Sequence, residues 1–199
     1  MKDTDITFNR PERRDAAENR QRILDTASKL FEQHGVEAVS MNQIATEAQI
    51  GSGTLYRRYR NKGELCLDLI KDNVVILFDN IEAFLNDNKT RPARERLREV
   101  LRLFIRFRES KSQLLKGVEE AETANRPHSK PSSPLYDELH QHFVQLFDEM
   151  TVTREVVPNS VFKADLLLAC LKSDPYLFQR EVRGYSPEEI LEQLWATFE

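Results

Sequence analysis

The side chains best suited to chemistry lie close together, between Ser52 and Lys62 of a 199-residue chain. Arg57, Arg58, Arg60 and Lys62 supply four positive charges, and no acidic residue falls between Ala48 and Gly63. Ser52, Thr54 and Tyr56 set hydroxyls beside them. Guanidinium and ammonium groups draw phosphate by Coulomb attraction and counterion release, whatever the base sequence. Hydroxyls and an arginine fork add the directional hydrogen bonds by which base edges are told apart. Charge alone would equally suit a solvated helix face, so local geometry has to decide.

Catalytic chemistry finds no matching pattern. His34, His128, His140 and His142 lack the HExxH spacing of a metal site, and His140 and His142, two apart, fall on different faces of a helix. No G-x-S-x-G, phosphate loop or G-x-G-x-x-G occurs, so neither cofactor nor metal is expected. Glu119, Glu120 and Glu122 read as a solvated face. An enzyme is a poor reading. A helical interaction module without ligand response is the other alternative, and the basic helix argues against one that has lost DNA.

Local geometry favours nucleic acid. Ser40 followed by Gln43 has capping-box spacing, and Met41, Ile44, Ala45 and Ala48 fall on one helical face. Gln49-Ile50-Gly51 interrupts this pattern, which resumes at Ser52 with Leu55 and Tyr59 facing inward. Small residues at Ala45, Gly51 and Gly53 suit two helices crossing closely, as in a helix-turn-helix. Ahead of it, Ile23, Leu24, Ala27, Leu30 and Phe31 line a helix that Gly35 should end in a left-handed turn.

Ile44-Ala45, Ala48, Ile50, Gly53-Thr54-Leu55-Tyr56, Arg57-Arg58-Tyr59 and Asn61-Lys62 together resemble the DNA-binding motif of the tetracycline-repressor (TetR) family. With the preceding helix the resemblance covers roughly residues 20–70. The chain departs from it at Gln49, Gly51, Arg58 and Tyr59. A left-handed turn at Gln49 without glycine costs about 1 kcal/mol. The resemblance implies that Ser40, Thr54, Tyr56, Arg58 and Lys62 face phosphates, and that Asn42, Ser52, Gly53 and Arg57 face base edges. It further implies a homodimer on a pseudo-palindromic double-stranded DNA operator, and a small-molecule effector whose identity the residues do not name.

The rest of the chain must position this head. Residues 1–62 carry 11 Lys and Arg against 9 Asp and Glu, and residues 63–199 carry 18 against 24. A basic head on an acidic body suits a DNA reader whose second part must not stick to the duplex. Residues 1–19, polar and aperiodic, are expected to be a mobile arm, residues 20–62 the helix-turn-helix domain, and residues 63–199 a regulatory domain. No period-two segment appears, and the fold class is all-α with about nine helices. Cys66 and Cys170 are too far apart for a disulfide framework, no apolar run reaches ~20 residues, and a cytoplasmic protein is expected.

In the body, Asn61 with Glu64 should cap a long fourth helix whose segment Val74–Phe78, apolar all round, should be buried on more than one face. A fifth helix should start near Pro92, and Ser110 with Gln113 should cap a sixth. Residues 125–134 read as a loop, a seventh helix starts at Ser133-Pro134, and Pro158-Asn159 opens another that Pro175 interrupts. Ser186-Pro187-Glu188-Glu189 caps the last. Phe78, Phe104, Phe107, Phe143 and Phe147, with His140 and the polar groups Asn80 and Arg106, suggest an apolar cavity for a hydrophobic or aromatic effector. The apolar stripes of the last two long helices, with Leu167, Leu171, Leu191, Leu194, Trp195 and Phe198, are expected at the dimer interface, packed as a four-helix bundle.

Overall fold

The computed structural model describes residues 10–125, 134–150 and 159–198. Within them lie α1 (Arg10–His34), α2 (Met41–Glu47), α3 (Ser52–Arg58), α4 (Lys62–Asp87), α5 (Ala93–Ser110) and α6 (Ser112–Asn125). They continue with α7 (Pro134–Met150), α8 (Ser160–Cys170), α9 (Ser173–Leu177), a π-helical turn (Phe178–Val182) and α10 (Pro187–Phe198). The fold is all-α. Among the described residues no helix is long and apolar enough to cross a membrane.

Several boundaries follow from side-chain caps. Ser40 Oγ accepts the Gln43 amide at 3.2 Å, and Asn61 Oδ1 accepts that of Glu64 at 2.9 Å. At Ser186 the box is reciprocal: its hydroxyl accepts from Glu189 N, and the Glu189 carboxylate accepts from Ser186 N at 2.7 Å. Glu64 does not return to Asn61; its carboxylate takes the amide of Arg60, one residue earlier, at 2.7 Å. Nor does Ser110 cap α6. It closes α5, donating its hydroxyl to Phe107 O at 2.8 Å. The loop expected over residues 125–134 lies largely outside the described residues.

The turns take the conformations that their residues suggested. Gly35 has φ +78°, and its amide closes on Phe31 O at 2.9 Å. Gln49 has φ 53°, and the amides of Gln49 and Ile50 reach back to Thr46 O and Ala45 O, a six-residue closure that satisfies the end of α2. A side chain at such a φ strains the backbone without adding packing, since Gln49 is exposed. Gln49→Gly should therefore stabilise the protein by roughly 0.5–1 kcal/mol. A urea titration checks it: the midpoint should rise with the slope unchanged.

Two expectations about surface and length change. Residues 10–19, read as part of a mobile arm, are the opening turns of α1. Ala16, Ala17 and Glu18 favour helix, and a helix needs no apolar face where its tertiary anchors come later. Residues 1–9 lie outside the described residues. On α4, Val75 and Ile76 are 51% and 56% exposed, so the apolar segment there is buried on one side alone. The extra helix beyond the nine is α9, which Pro175 helps to start, because its missing amide is no loss in a first turn.

The core has two parts. Ile23, Ala27, Ile44, Leu55 and Tyr59 pack with Leu65 and Cys66 of α4 and Val118 of α6 to form the head. Ile70, Phe78 and Ile81 of α4 pack with α5, α7, α8 and α10 to form the body. So α4 is one continuous rod with one end in each core. Gly117 lets α6 press onto this rod: a Cβ there would stand 2.8 Å from Val36 Cγ1 and 2.9 Å from Cys66 Sγ.

Candidate DNA-binding interface and the core behind it

On the head, α3 buries Leu55 and turns the rest outward. Ser52, Gly53, Arg57 and Arg58 are exposed, Thr54 is half-buried, and Tyr56 is 44% exposed. Asn42 and Ser40 at the start of α2 lie on the surface too. Arg57 has no hydrogen-bond or ion-pair partner among the described residues, so its fork is available to a duplex. Gly53 does not serve the crossing of α2 and α3, since nothing lies within 4 Å of a Cβ placed there. Its lack of a side chain instead leaves the helix surface bare. Arg58 reaches back to Ala16 O at 3.4 Å, and Arg60 is paired with Glu64.

Lys62 has a different task from the phosphate contact expected of it. Its ammonium donates to the carbonyls of Val36, Glu37 and Val39, at 2.5, 3.2 and 3.0 Å. An ammonium has three N–H donors, and all three are taken. The charge thus closes the turn between α1 and α2 onto the start of α4. Its acceptors lie more than twenty residues upstream, beyond the reach of a local charge pattern.

Asp68 on α4 holds the head to the rod. It receives Arg20 of α1 through two bonds, 2.9 and 2.6 Å, and the hydroxyl of Tyr59 at the end of α3. Partial burial opposes ionisation of Asp68, but the bonds from Arg20 and Tyr59 outweigh it and hold its pKa below the usual carboxylate range. Burial and the bond to Asp68 push the Tyr59 phenol up. Next to this clamp an apolar cleft of about 450 Å³ opens between head and body, lined by Tyr59, Leu67, Val74, Val75 and Leu135.

In the body, Phe104, Phe143 and Phe147 are fully buried and Phe78 and Phe107 nearly so, all in one core. Asn80 and Arg106 point outward. His140 is half-buried, with Nε2 3.1 Å from Asp165 Oδ1 on α8. The polar groups inside this core are others. Arg108, 2% exposed, donates to Glu119 Oε1, to Tyr136 Oη and, at 2.8 Å, to Ser173 Oγ. Glu119 also accepts the Tyr136 hydroxyl and the Ser173 amide, so it is a buried hub rather than part of a solvated face. The sequence carried a sign of it. Leu97, Leu101, Phe104 and Arg108 share one helical stripe, and a charge in that register needs a buried partner.

The side chains expected at a dimer interface are mostly committed within the chain. Leu167, Leu171, Leu191 and Phe198 lie in the body core. Leu194 and Trp195 are half-buried against it, the Trp195 indole donating to Arg94 O at 3.0 Å with the guanidiniums of Arg94 and Arg98 over its ring. The apolar face that α8 leaves bare is another: Val161, Phe162 and Leu166, 46%, 56% and 45% exposed, with Ala169 beyond them. Leucines all round α8 concealed which face would turn inward.

Known proteins share this arrangement. Residues 23–69 match the family described as bacterial regulatory proteins, tetR family. The chain is 35% identical over 178 residues to an HTH-type transcriptional regulator of Staphylococcus aureus (strain USA300), across 88% of this chain and 90% of that protein. Thermus thermophilus FadR, a TetR family transcriptional repressor solved in complex with lauroyl-CoA, superposes with a TM-score of 0.67 at 20% identity, over 90% of this chain and 92% of its own. A transcriptional regulator from Saccharomonospora viridis, solved with choline, does so with a TM-score of 0.54 at 22% identity, over 89% and 94%. The exposed α3, the rod behind it and a relative matched along nearly its whole length agree: the chain belongs to the tetR family of bacterial regulatory proteins, DNA-binding transcriptional regulators and not enzymes.

Proposed function

We propose that the protein is a repressor that grips a pseudo-palindromic operator as a homodimer and leaves it when a small hydrophobic or aromatic effector enters the body. The observation that carries this is α4, one helix built into both cores and clamped to α3 through Asp68 and Tyr59. A tilt of such a rod moves the recognition helix as a body. Two heads must stand about one DNA turn apart, ~34–36 Å, so a small tilt takes them out of register. The exposed stripe on α8 suits a second copy, and an effector entering the body would meet mainly apolar side chains, Phe104, Phe143 and Phe147 among them, with few polar anchors such as Arg108 and Glu119. Relatives solved with lauroyl-CoA and with choline support an effector in this body. To turn 99% bound into 1% bound, the effector must favour the released geometry by about 5.5 kcal/mol.

Footprinting on the DNA upstream of the protein's own gene tests the reading. Two protected half-sites about one turn apart, lost on adding a lipophilic effector from a thermal-shift screen, are expected. Protection of a single half-site, or no protected sequence, overturns it.

Within this reading Arg57 reads a base and Ser40, Thr54, Tyr56 and Arg58 position the backbone, with Asn42, Ser52 and Gly53 at the base edges. Arg57→Ala should cost about 1–3 kcal/mol on the operator and relax preference at one position of each half-site. Lys62→Met should leave base preference intact and destabilise the head by about 2 kcal/mol, because three carbonyls lose a charged donor. Competition binding with operator variants and a melting curve separate the two effects.

A further inference from the structure

One group of side chains plays no part in the reading above. Glu82 on α4 and Glu138 and His142 on α7 bring one ligand atom each to within 4.8 Å of one another. Glu138 and His142, four apart, share a face of α7, and Glu82 stands one turn beyond Phe78, whose ring stacks on the His142 imidazole at 6.1 Å. None of the three has a hydrogen-bond or ion-pair partner among the described residues. Two carboxylates set together without a cation repel each other, and the fold nevertheless places an imidazole nitrogen beside them. Burial lowers the pKa of His142, against the pull of Glu138 and Glu82.

We propose that Glu82, Glu138 and His142 form a site for a first-row divalent cation of borderline character, such as Zn(II), Co(II) or Ni(II). One imidazole and two carboxylates are a nitrogen–oxygen set that suits these ions, whereas Mg(II) and Ca(II) favour oxygen alone. Donors about 2 Å from such an ion lie ~3–3.5 Å from one another, so the site closes by about an ångström on loading. Glutamate side chains make that adjustment by rotation. Three protein ligands leave coordination positions for water or an exogenous group. The Phe78 ring, stacked on the imidazole, packs against one of its faces. Bound there, the ion pins the C-terminal third of α4 to α7.

The test uses the full chain, stripped with a chelator and titrated with Co(II), whose visible d–d bands report nitrogen and oxygen ligation. The wild type should saturate at one equivalent per chain, and Zn(II) should bleach the bands. His142→Ala and Glu82→Gln should each weaken Co(II) binding at least tenfold, with far-UV circular dichroism unchanged. Glu82 is exposed, so E82Q keeps the test decisive if H142A does not fold. Absence of saturable bands, or binding by folded E82Q equal to that of the wild type, overturns the site. Binding is read directly, so the result does not depend on the operator or the effector.

Discussion

Placing aspartates at Phe162 and Leu166 is expected to yield a helical monomer whose operator affinity falls on the order of a hundred- to ten-thousandfold. Both side chains are about half exposed on α8, on a face that the other described residues leave open. Exposed apolar stripes of this kind mark interaction surfaces. Two charges brought into a two-fold interface meet their own copies, so each substitution acts twice. A monomer presents one head, and the gain from engaging both half-sites together is lost without any change at α3. Sedimentation gives the assembly, and fluorescence anisotropy with full and half operators gives the affinity. A dimer that persists in the double variant refutes the α8 interface. Leu191→Asp is expected to behave differently, because Leu191 is 1% exposed in the body core and its replacement unfolds the chain.

Glu119→Gln should destabilise the protein by about 3–5 kcal/mol, because it leaves the Arg108 guanidinium buried without its counter-charge. The melting temperature should fall by roughly 10 °C for a chain of this size. The pair joins α5 to α6, and through Tyr136 and Ser173 it also reaches α7 and α9. The neighbouring Glu120→Gln, on the exposed side of the same helix, should change stability by less than about 0.5 kcal/mol. Calorimetry on both variants decides it. Equal melting temperatures would remove the buried pair from any account of the body.

What could be read in advance divides along physical lines. Most caps and turns were legible because they depend on residues within five positions of one another: Ser40 with Gln43, Ser186 with Glu189, Gly35 and Gln49 at positive φ, though Ser110 closes α5 instead of capping α6. The exposed surface of α3 was legible for the same reason. Long-range commitments were not. Lys62 looks like one more cation in a basic run, and only the folded turn reveals three carbonyls around it. On α8, Leu166, Leu167, Leu168 and Leu171 point every way, so periodicity does not tell the core face from the free face. Glu82 and His142 meet across two helices that no local pattern pairs.

Stiffness follows from the contact at Gly117. Most helix pairs are separated by side chains that yield by changing rotamer, so part of any push is damped in between. Here α6 meets Val36 and Cys66 with no side chain of its own at the point of contact. Val36 is β-branched and stiff at χ1, and Cys66 is fully buried. Densely packed interiors compress little. A displacement of α6 toward the rod therefore has no soft layer to absorb it, and arrives at α4 and the α1–α2 turn nearly undiminished.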